Sequence, residues 1–132
     1  MKTVTAQEVF DTVARHLLRQ GRRAVNCRGD EQKCSYRAEN GDQCAVGCLI
    51  PRRAYVPEME EVGSAGLLFV FCSERGQTWH VPYLPHLDLL EDLQHLHDTL
   101  YPFAWQERLG DIAKLYGLKM PVPFPDPFDG EP

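Results

Sequence analysis

An amphipathic segment near the start of the chain, residues 5–20, constrains the fold more than any other feature. Its apolar side chains recur at helical spacing and share one face, which holds Val9, Val13 and Leu17, with Phe10 beside them. Thr5 and Glu8 have the spacing of a capping box, so the helix is predicted to begin at this point. A single amphipathic helix cannot bury its own apolar face, so the remaining residues have to supply a core.

Two later segments also have apolar residues at helical spacing, and both are predicted to be helices that pack on the same core. Residues 86–100 carry a leucine stripe formed by Leu89, Leu90, Leu93, Leu96 and Leu100. Residues 103–116 carry an inward face formed by Trp105, Leu109, Ile112 and Tyr116. His97 lies on the inward side of the first of these helices. It is interpreted either as a core histidine with satisfied hydrogen bonds or as a base or metal ligand.

The region between the first two helices predicts a small antiparallel sheet. Residues 33–46 have the pattern of a β-hairpin, because Asn40 and Gly41 can supply the two positive φ angles of a type I′ turn. Residues 24–27 are the candidate third strand, since two strands alone are only marginally stable. Residues 67–72 have the length and composition of a buried strand, with a short helix as the alternative.

The length of 132 residues is typical of one domain. Proline occupies every second position from 121 to 127, which is incompatible with a helix. The sequence therefore predicts a single globular domain over residues 1–120 and a proline-rich, extended or flexible tail over residues 121–132. Residues 76–85 are also expected to be extended. The predicted fold class is α+β, with three main helices packed on a small antiparallel sheet.

Charge is unevenly distributed along the chain, although the net charge is only −5. Basic residues predominate between residues 15 and 37, and acidic residues predominate from residue 84 onward. A polarised surface of this kind favours binding to a charged macromolecular partner, whereas the net negative charge disfavours a generally basic nucleic-acid binder. The candidate binding residues are Arg19, Arg22, Arg23, Arg28, Arg37, Asp88, Glu91 and Asp92.

The five cysteines are odd in number and irregularly spaced, which favours free thiols in a reducing cytosol over a disulfide framework. Three of them, Cys34, Cys44 and Cys48, could hold a structural zinc ion, but none of them forms the C-x2-C pair typical of such sites. Cys44 could also act as a nucleophile with a histidine base, namely His80, His95 or His97. Burial in the core is the preferred interpretation, so we assign no metal, cofactor or catalytic residue.

Several function classes lack their sequence signatures. The chain contains no phosphate-binding loop, dinucleotide fingerprint, HExxH motif or EF-hand loop. Residues 1–12 have no continuous apolar stretch, which predicts no secretory signal. The longest apolar run, residues 65–72, is interrupted by Gly66 and is too short to span a bilayer. We therefore expect a cytoplasmic protein that does not insert into a membrane.

One long string has a specific likeness to a known group of proteins. Residues 34–51, CSYRAENGDQCAVGCLIP, followed by YVPEME at residues 55–60, resemble a group of small uncharacterised proteins of tailed bacteriophages and prophages. In that group an N-terminal helix precedes this string, and an L-Q-x-x-H-D helix and a W…Y-G-L helix follow it. The matching elements here are Leu93–Asp98 and Trp105–Leu118. The resemblance covers roughly residues 5–61 and 90–118.

The resemblance implies a small accessory protein that acts in the cytosol of a host cell. Such proteins often bind a host macromolecule without catalysis, for example to inhibit a host defence system, as anti-CRISPR proteins do. The leading hypothesis is therefore a non-catalytic binder of a host protein. Three alternatives stay open: a zinc-stabilised module using Cys34, Cys44 and Cys48, a cysteine-dependent small enzyme, and a nucleic-acid or nucleotide binder that uses residues 15–37. The sequence assigns no oligomeric state.

Overall fold

A computed structural model describes residues 3–28 and 31–121 of the chain. These residues form one α+β domain, which confirms the predicted fold class. Its α-helices are α1 (Ala6–Gln20), α2 (Ala65–Glu74), α3 (Leu87–Thr99) and α4 (Trp105–Leu115). Its sheet consists of β1 (Val25–Arg28) and β2 (Glu31–Cys34). Short 3-10 turns cover Gly47–Leu49, Pro57–Glu61, Val81–His86 and Pro102–Ala104. The tail predicted over residues 121–132 lies outside the described residues, apart from Pro121.

Helix α1 begins and ends as its sequence predicts. The Thr5 hydroxyl accepts a hydrogen bond from the Glu8 backbone N–H at 3.1 Å, and the Glu8 carboxylate accepts one from the Thr5 N–H at 2.9 Å. This capping box satisfies two of the backbone donors that every helix start leaves free. At the other end, Gly21 takes the left-handed conformation with φ of 70°. The predicted apolar face, including Val9 and Leu17, is buried.

The β-hairpin lies earlier in the chain than the predicted residues 33–46. Strands β1 and β2 pair antiparallel, with Val25 opposite Cys34 and Arg28 opposite Glu31. The segment expected to be the third strand is therefore one of the two strands of the sheet. The Asn-Gly turn is present, but it closes a loop with a single β-bridge between residues 37 and 43.

The Asn40-Gly41 turn uses one positive φ angle rather than two. Gly41 has φ of 94°, and no non-glycine residue among those described has a positive φ. The Gly41 N–H donates to the Ala38 carbonyl at 2.9 Å, which is the arrangement of a type I turn followed by a left-handed glycine. Residues 44–47, which follow the bridge, are all buried. They lack the two-residue alternation of a half-exposed strand, so the chain turns inward instead of extending the hairpin.

Residues 67–72 form part of helix α2, so the preferred interpretation as a strand is wrong. The Ser64 hydroxyl accepts a hydrogen bond from the Leu67 N–H at 3.2 Å and caps the helix. Leu68 and Cys72, four residues apart, are buried, whereas Leu67 and Val70 are exposed. Because the helix is apolar on all sides, its sequence has no periodicity that separates helix from strand. Likewise, residues 81–85 of the segment expected to be extended belong to the 3-10 turn Val81–His86.

Helix α3 is the centre of the core, and it packs against α1, α2 and α4. Four leucines of its predicted stripe, Leu89, Leu90, Leu93 and Leu96, are buried, whereas Leu100 is half-buried. The Trp105 side chain at the start of α4 is fully buried. Gly47 permits a close approach of the backbone at the end of β2. A Cβ atom at this position would lie 1.9 Å from the Tyr36 carbonyl oxygen, so only glycine fits. The core thus connects the loop that follows the hairpin to the helices.

Candidate functional site

Helices α3 and α4 pack side by side and leave an open groove of about 270 Å³ between them. Four apolar side chains line this groove: Leu96, Leu100, Ile112 and Leu115. Charged or titratable side chains form its rim: Asp92, His95, Arg108 and Asp111. Leu115 is 74% exposed, although it is a large apolar residue. An apolar centre inside a charged rim is the usual layout of a protein-binding surface.

Two large aromatic side chains extend from the connection between α3 and α4. Tyr101 is 66% exposed and Phe103 is 89% exposed. Their rings are stacked, with centroids 5.8 Å apart and an angle of 7° between the ring planes. The Arg23 guanidinium lies over the Tyr101 ring, with its central carbon 5.3 Å from the ring centroid. The Arg23 Nε–H donates to the Leu100 carbonyl at 3.2 Å. We call this stack of Arg23, Tyr101 and Phe103 the aromatic end of the groove.

The exposed side of α3 continues the rim with acidic residues. Asp88 lies one helical turn before Asp92, and Glu91 lies one turn before His95. Asp92 accepts a hydrogen bond of 2.6 Å from the Tyr116 hydroxyl. Burial, together with this bond, raises the pKa of Tyr116 to about 12. Within the described part of the chain, Asp88 and Glu91 form no ion pair, so this rim keeps uncompensated negative charge.

The described basic residues among those predicted interact with different partners. Arg22 donates two hydrogen bonds to the Asp42 carboxylate, at 2.6 and 3.1 Å, which raises the Arg22 pKa and lowers the Asp42 pKa. The Arg37 guanidinium lies over the Tyr55 ring, 4.8 Å from its centroid. Arg23 belongs to the aromatic end, and Arg19 lines a separate hollow on α1. The side chain of Arg28 lies outside the described residues.

The segments that carry the phage resemblance meet at a second, smaller pocket of about 200 Å³ at the end of β2. Its lining includes Cys34, Tyr36, Glu60, Gln94 and Asp98. The Glu60 carboxylate accepts hydrogen bonds from the N–H groups of Tyr36 and Arg37, at 2.9 and 3.1 Å, and from the Tyr55 hydroxyl at 2.6 Å. Gln94 accepts from the Val46 N–H at 2.9 Å and donates to Asp98 at 2.9 Å. These polar groups are bonded to one another and hold the pocket walls together.

The structure does not gather Cys34, Cys44 and Cys48 into one ligand group. Among the described residues, the one group of three potential metal-ligand atoms within 4.8 Å of one another is Cys34, His97 and Asp98. The Cys44 sulfur accepts a hydrogen bond from the Gly47 N–H at 3.3 Å. The Cys48 thiol donates to the Ala45 carbonyl at 3.1 Å. Both of these sulfur atoms therefore form hydrogen bonds within their own turns.

The hydrogen bonds of His97 fix its tautomer. Its Nε2 atom accepts the Ala24 backbone N–H at 2.9 Å, so the ring proton of the neutral form is on Nδ1 and is donated to Asp98 Oδ1 at 2.8 Å. A metal ion on Nδ1 would require a proton on Nε2, which would then face the Ala24 N–H. The ring is fully buried and lies on Trp105, with centroids 5.7 Å apart. His97 therefore anchors α3 to the start of β1, as the core-histidine interpretation predicts.

The thiols with resolved pKa shifts are poor nucleophiles because burial favours the neutral form. Burial and the neighbouring Asp98 carboxylate raise the pKa of Cys34 to about 11. Burial raises the pKa of Cys48 to about 12 and that of Cys44 far above its usual value. In the described structure, the hydrogen bonds of Cys44 involve none of the proposed histidine bases. The geometry gives no support to a cysteine-dependent reaction at Cys44.

Comparison with known proteins gives no further assignment, since no family model, curated protein or solved structure matches the chain. None of the described helices is long and apolar enough to cross a membrane. The sequence patterns did not predict the groove or its aromatic end. A signal was present in the sequence: Tyr101 and Phe103 flank Pro102 at the junction of two predicted helices and lie outside both predicted apolar stripes.

Proposed function

We propose that this protein is a non-catalytic binding protein that docks onto a host protein through the α3–α4 groove and its aromatic end. The observation that carries the proposal is the Phe103 ring, which is 89% exposed yet held by stacking on Tyr101. Aromatic and arginine side chains supply most of the binding energy in many protein interfaces. A side chain that is already ordered loses less conformational entropy on binding.

The rim indicates the chemistry of the partner. Asp88 and Glu91 lie on α3 outside the groove lining, Glu91 on the side of the helix that faces Gly66 of α2, and neither is neutralised by a described cation of the protein itself. A partner that inserts an apolar side chain into the groove and surrounds it with lysine or arginine would match both the centre and the rim. Charge complementarity of this kind increases the rate of association and selects against acidic partners.

The resemblance to proteins of tailed phages and prophages supplies the biological context of the proposal. In that context the protein acts in the cytosol of a bacterial host. Its partner is a host protein, and a defence protein is the expected class of target. The net charge of −5 is consistent with a protein partner and unfavourable for nucleic acid.

The test compares two pairs of exposed apolar residues. Tyr101→Ala with Phe103→Ala removes the stacked rings, whereas Leu67→Ala with Val70→Ala removes apolar side chains of similar exposure from α2. Each tagged variant and the wild type are used to capture proteins from a host lysate, and the captured proteins are quantified by mass spectrometry. We expect one host protein to be lost with the first variant and kept with the second. Equal capture by both variants, or capture of no protein, contradicts the proposal.

The affinity of the purified pair then tests the acidic rim. Asp88→Lys with Glu91→Lys should weaken binding and reduce its dependence on salt, because the partner is expected to be basic. Reversal of two arginines outside this surface, Arg52→Glu with Arg53→Glu, is the matched control and should not weaken binding. An affinity that is unchanged by the rim variant would remove charge complementarity from the proposal.

A further inference from the structure

A separate hollow of about 370 Å³ lies along the outer side of α1. Helix α1 contributes Thr12, Arg15, His16 and Arg19 to this hollow, and the facing segment contributes Gln43 and Cys48. The volume falls within the range of small-molecule sites. None of these residues lines the α3–α4 groove.

Two arginines place uncompensated positive charge in this hollow. Arg15 and Arg19 are one helical turn apart on α1, where like charges repel each other. In the part of the chain that the structure describes, neither guanidinium forms an ion pair. The carboxylate of Asp42, whose charge acts on His16, is bonded to Arg22 and Asn40 instead. The positive charge of the hollow is therefore available to a ligand.

The wall opposite the arginines is fixed to α1 by hydrogen bonds. The Gln43 carbonyl accepts the His16 Nε2–H at 2.8 Å and the Gln20 side-chain N–H at 3.0 Å. The Gln43 backbone N–H in turn donates to the Gln20 side-chain oxygen at 2.9 Å. Three hydrogen bonds at one residue keep the hollow open before any ligand binds. A preformed site loses less free energy to ordering when it is filled.

We propose that this hollow binds the phosphate groups of a small phosphorylated ligand, with Arg15 and Arg19 donating to the phosphate oxygens. The guanidinium fork matches two oxygens of a phosphate at once, and such charge-assisted hydrogen bonds are stronger than neutral ones. Two forks one turn apart suit a pyrophosphate unit. This inference is independent of the proposed docking surface, so either proposal can fail without the other.

The experiment titrates the protein with inorganic pyrophosphate at constant ionic strength and follows binding by calorimetry and by backbone amide shifts. We expect saturable binding with shifts centred on α1 and Gln43. Arg15→Gln with Arg19→Gln should weaken it about tenfold or more, because each lost charged hydrogen bond costs about 1.5 kcal/mol or more. Arg52→Gln with Arg53→Gln removes the same charge from exposed residues outside the hollow and should change the affinity less than about twofold.

Three results would overturn the inference: no saturable binding of pyrophosphate, equal weakening by both double variants, or equal binding of chloride at matched ionic strength. Circular dichroism checks that each variant is folded. The single variant Arg19→Gln, at an exposed position, serves if the double variant is unstable. Titration with ADP distinguishes the ligand sources. Tighter binding of ADP than of pyrophosphate indicates a nucleotide, whereas equal affinity indicates that the phosphate groups alone are recognised.

Discussion

The network around His97 and the aromatic end of the groove both contain aromatic side chains, but these differ in their exposure to solvent. His97 is fully buried and both of its nitrogen atoms are bonded within the protein. Tyr101 and Phe103 are also aromatic, lie only a few residues further along the chain and are mostly exposed. The imidazole of His97 is used to hold the fold together, whereas the rings of Tyr101 and Phe103 are exposed to solvent.

The same contrast applies to the string that carries the phage resemblance. Tyr36, Glu60, Gln94 and Asp98 belong to the segments of the resemblance, and their hydrogen bonds connect the loops after β2 to one another and to α3. Removal of any one would leave another buried or half-buried polar group without its partner. The residues of this string therefore contribute to the stability of the fold. The comparison predicts that variants in the two regions separate stability from binding.

Within the network around His97, the largest effect is expected for His97→Ala. Loss of the ring leaves the buried Ala24 N–H without an acceptor and opens a cavity beside Trp105, so the free energy of unfolding should fall by about 3 kcal/mol. Urea denaturation measures this change. His95→Ala, at an exposed position of the same helix, is the matched control and should stay within about 0.5 kcal/mol of the wild type.

A second substitution separates the lost hydrogen bonds from the lost volume. His97→Phe keeps an aromatic ring beside Trp105 but cannot accept the Ala24 N–H, so it should still cost about 1–3 kcal/mol. Wild-type stability of this variant would show that packing, rather than hydrogen bonding, explains the burial of His97. Cys34, His97 and Asp98 would then again be a candidate metal-ligand group, because the hydrogen bond from the Ala24 N–H is what assigns the ring proton of His97 to Nδ1.

A second buried histidine, His80, sharpens the comparison through its pH dependence. Its Nε2 atom is 2.8 Å from the Ser73 hydroxyl, while its Nδ1 atom has no partner among the described residues. Burial against Phe69 and Trp79 lowers its pKa below the usual 6.5. The unfolded chain therefore binds a proton at a higher pH than the folded chain, so stability should fall as the pH drops through 6.5.

The measurement for His80 is the free energy of unfolding between about pH 7.5 and 5, compared with His80→Phe. The variant replaces the titrating ring with one that suits its aromatic neighbours, so it should lose less stability on acidification. The pKa of His16 is also lowered by burial, so His16→Gln is the control that removes the other assigned contribution. If neither variant flattened the profile, the acid sensitivity would come from other groups.

Periodicity was sufficient to predict α1, α3 and α4, because each has one apolar face and one polar face. It failed for α2, where Leu67 and Val70 point outward and the apolar pattern has no period. The Asn40-Gly41 turn was found, but the strands were assigned on the wrong side of Cys34. The Asn-Gly pair is a strong hairpin signal, so the hairpin was predicted around it instead of at the shorter hairpin of β1 and β2.

The candidate site was harder to predict than the fold for a physical reason. The groove exists only because α3 and α4 are neighbours, and no local pattern states which helices will pack together. The sequence did place Asp88, Glu91 and Asp92 on one helix, and the structure places Asp92 in the lining of that groove, with Asp88 and Glu91 outside it. Of the predicted arginines, Arg23 joins the aromatic end, while Arg22 and Arg37 interact with Asp42 and Tyr55.

The smallest effect on stability is expected where the effect on binding is largest. Phe103→Ala removes a ring that is 89% exposed, so little apolar surface is returned to water and the free energy of unfolding should change by less than about 0.5 kcal/mol. Trp105→Ala, two residues further on and fully buried, should cost about 3–5 kcal/mol in the same urea experiment. A large loss of stability with Phe103→Ala would mean that the stacked rings support the α3–α4 connection itself. The fold itself would then explain the position of these rings, and their exposure would no longer support a role in binding a partner.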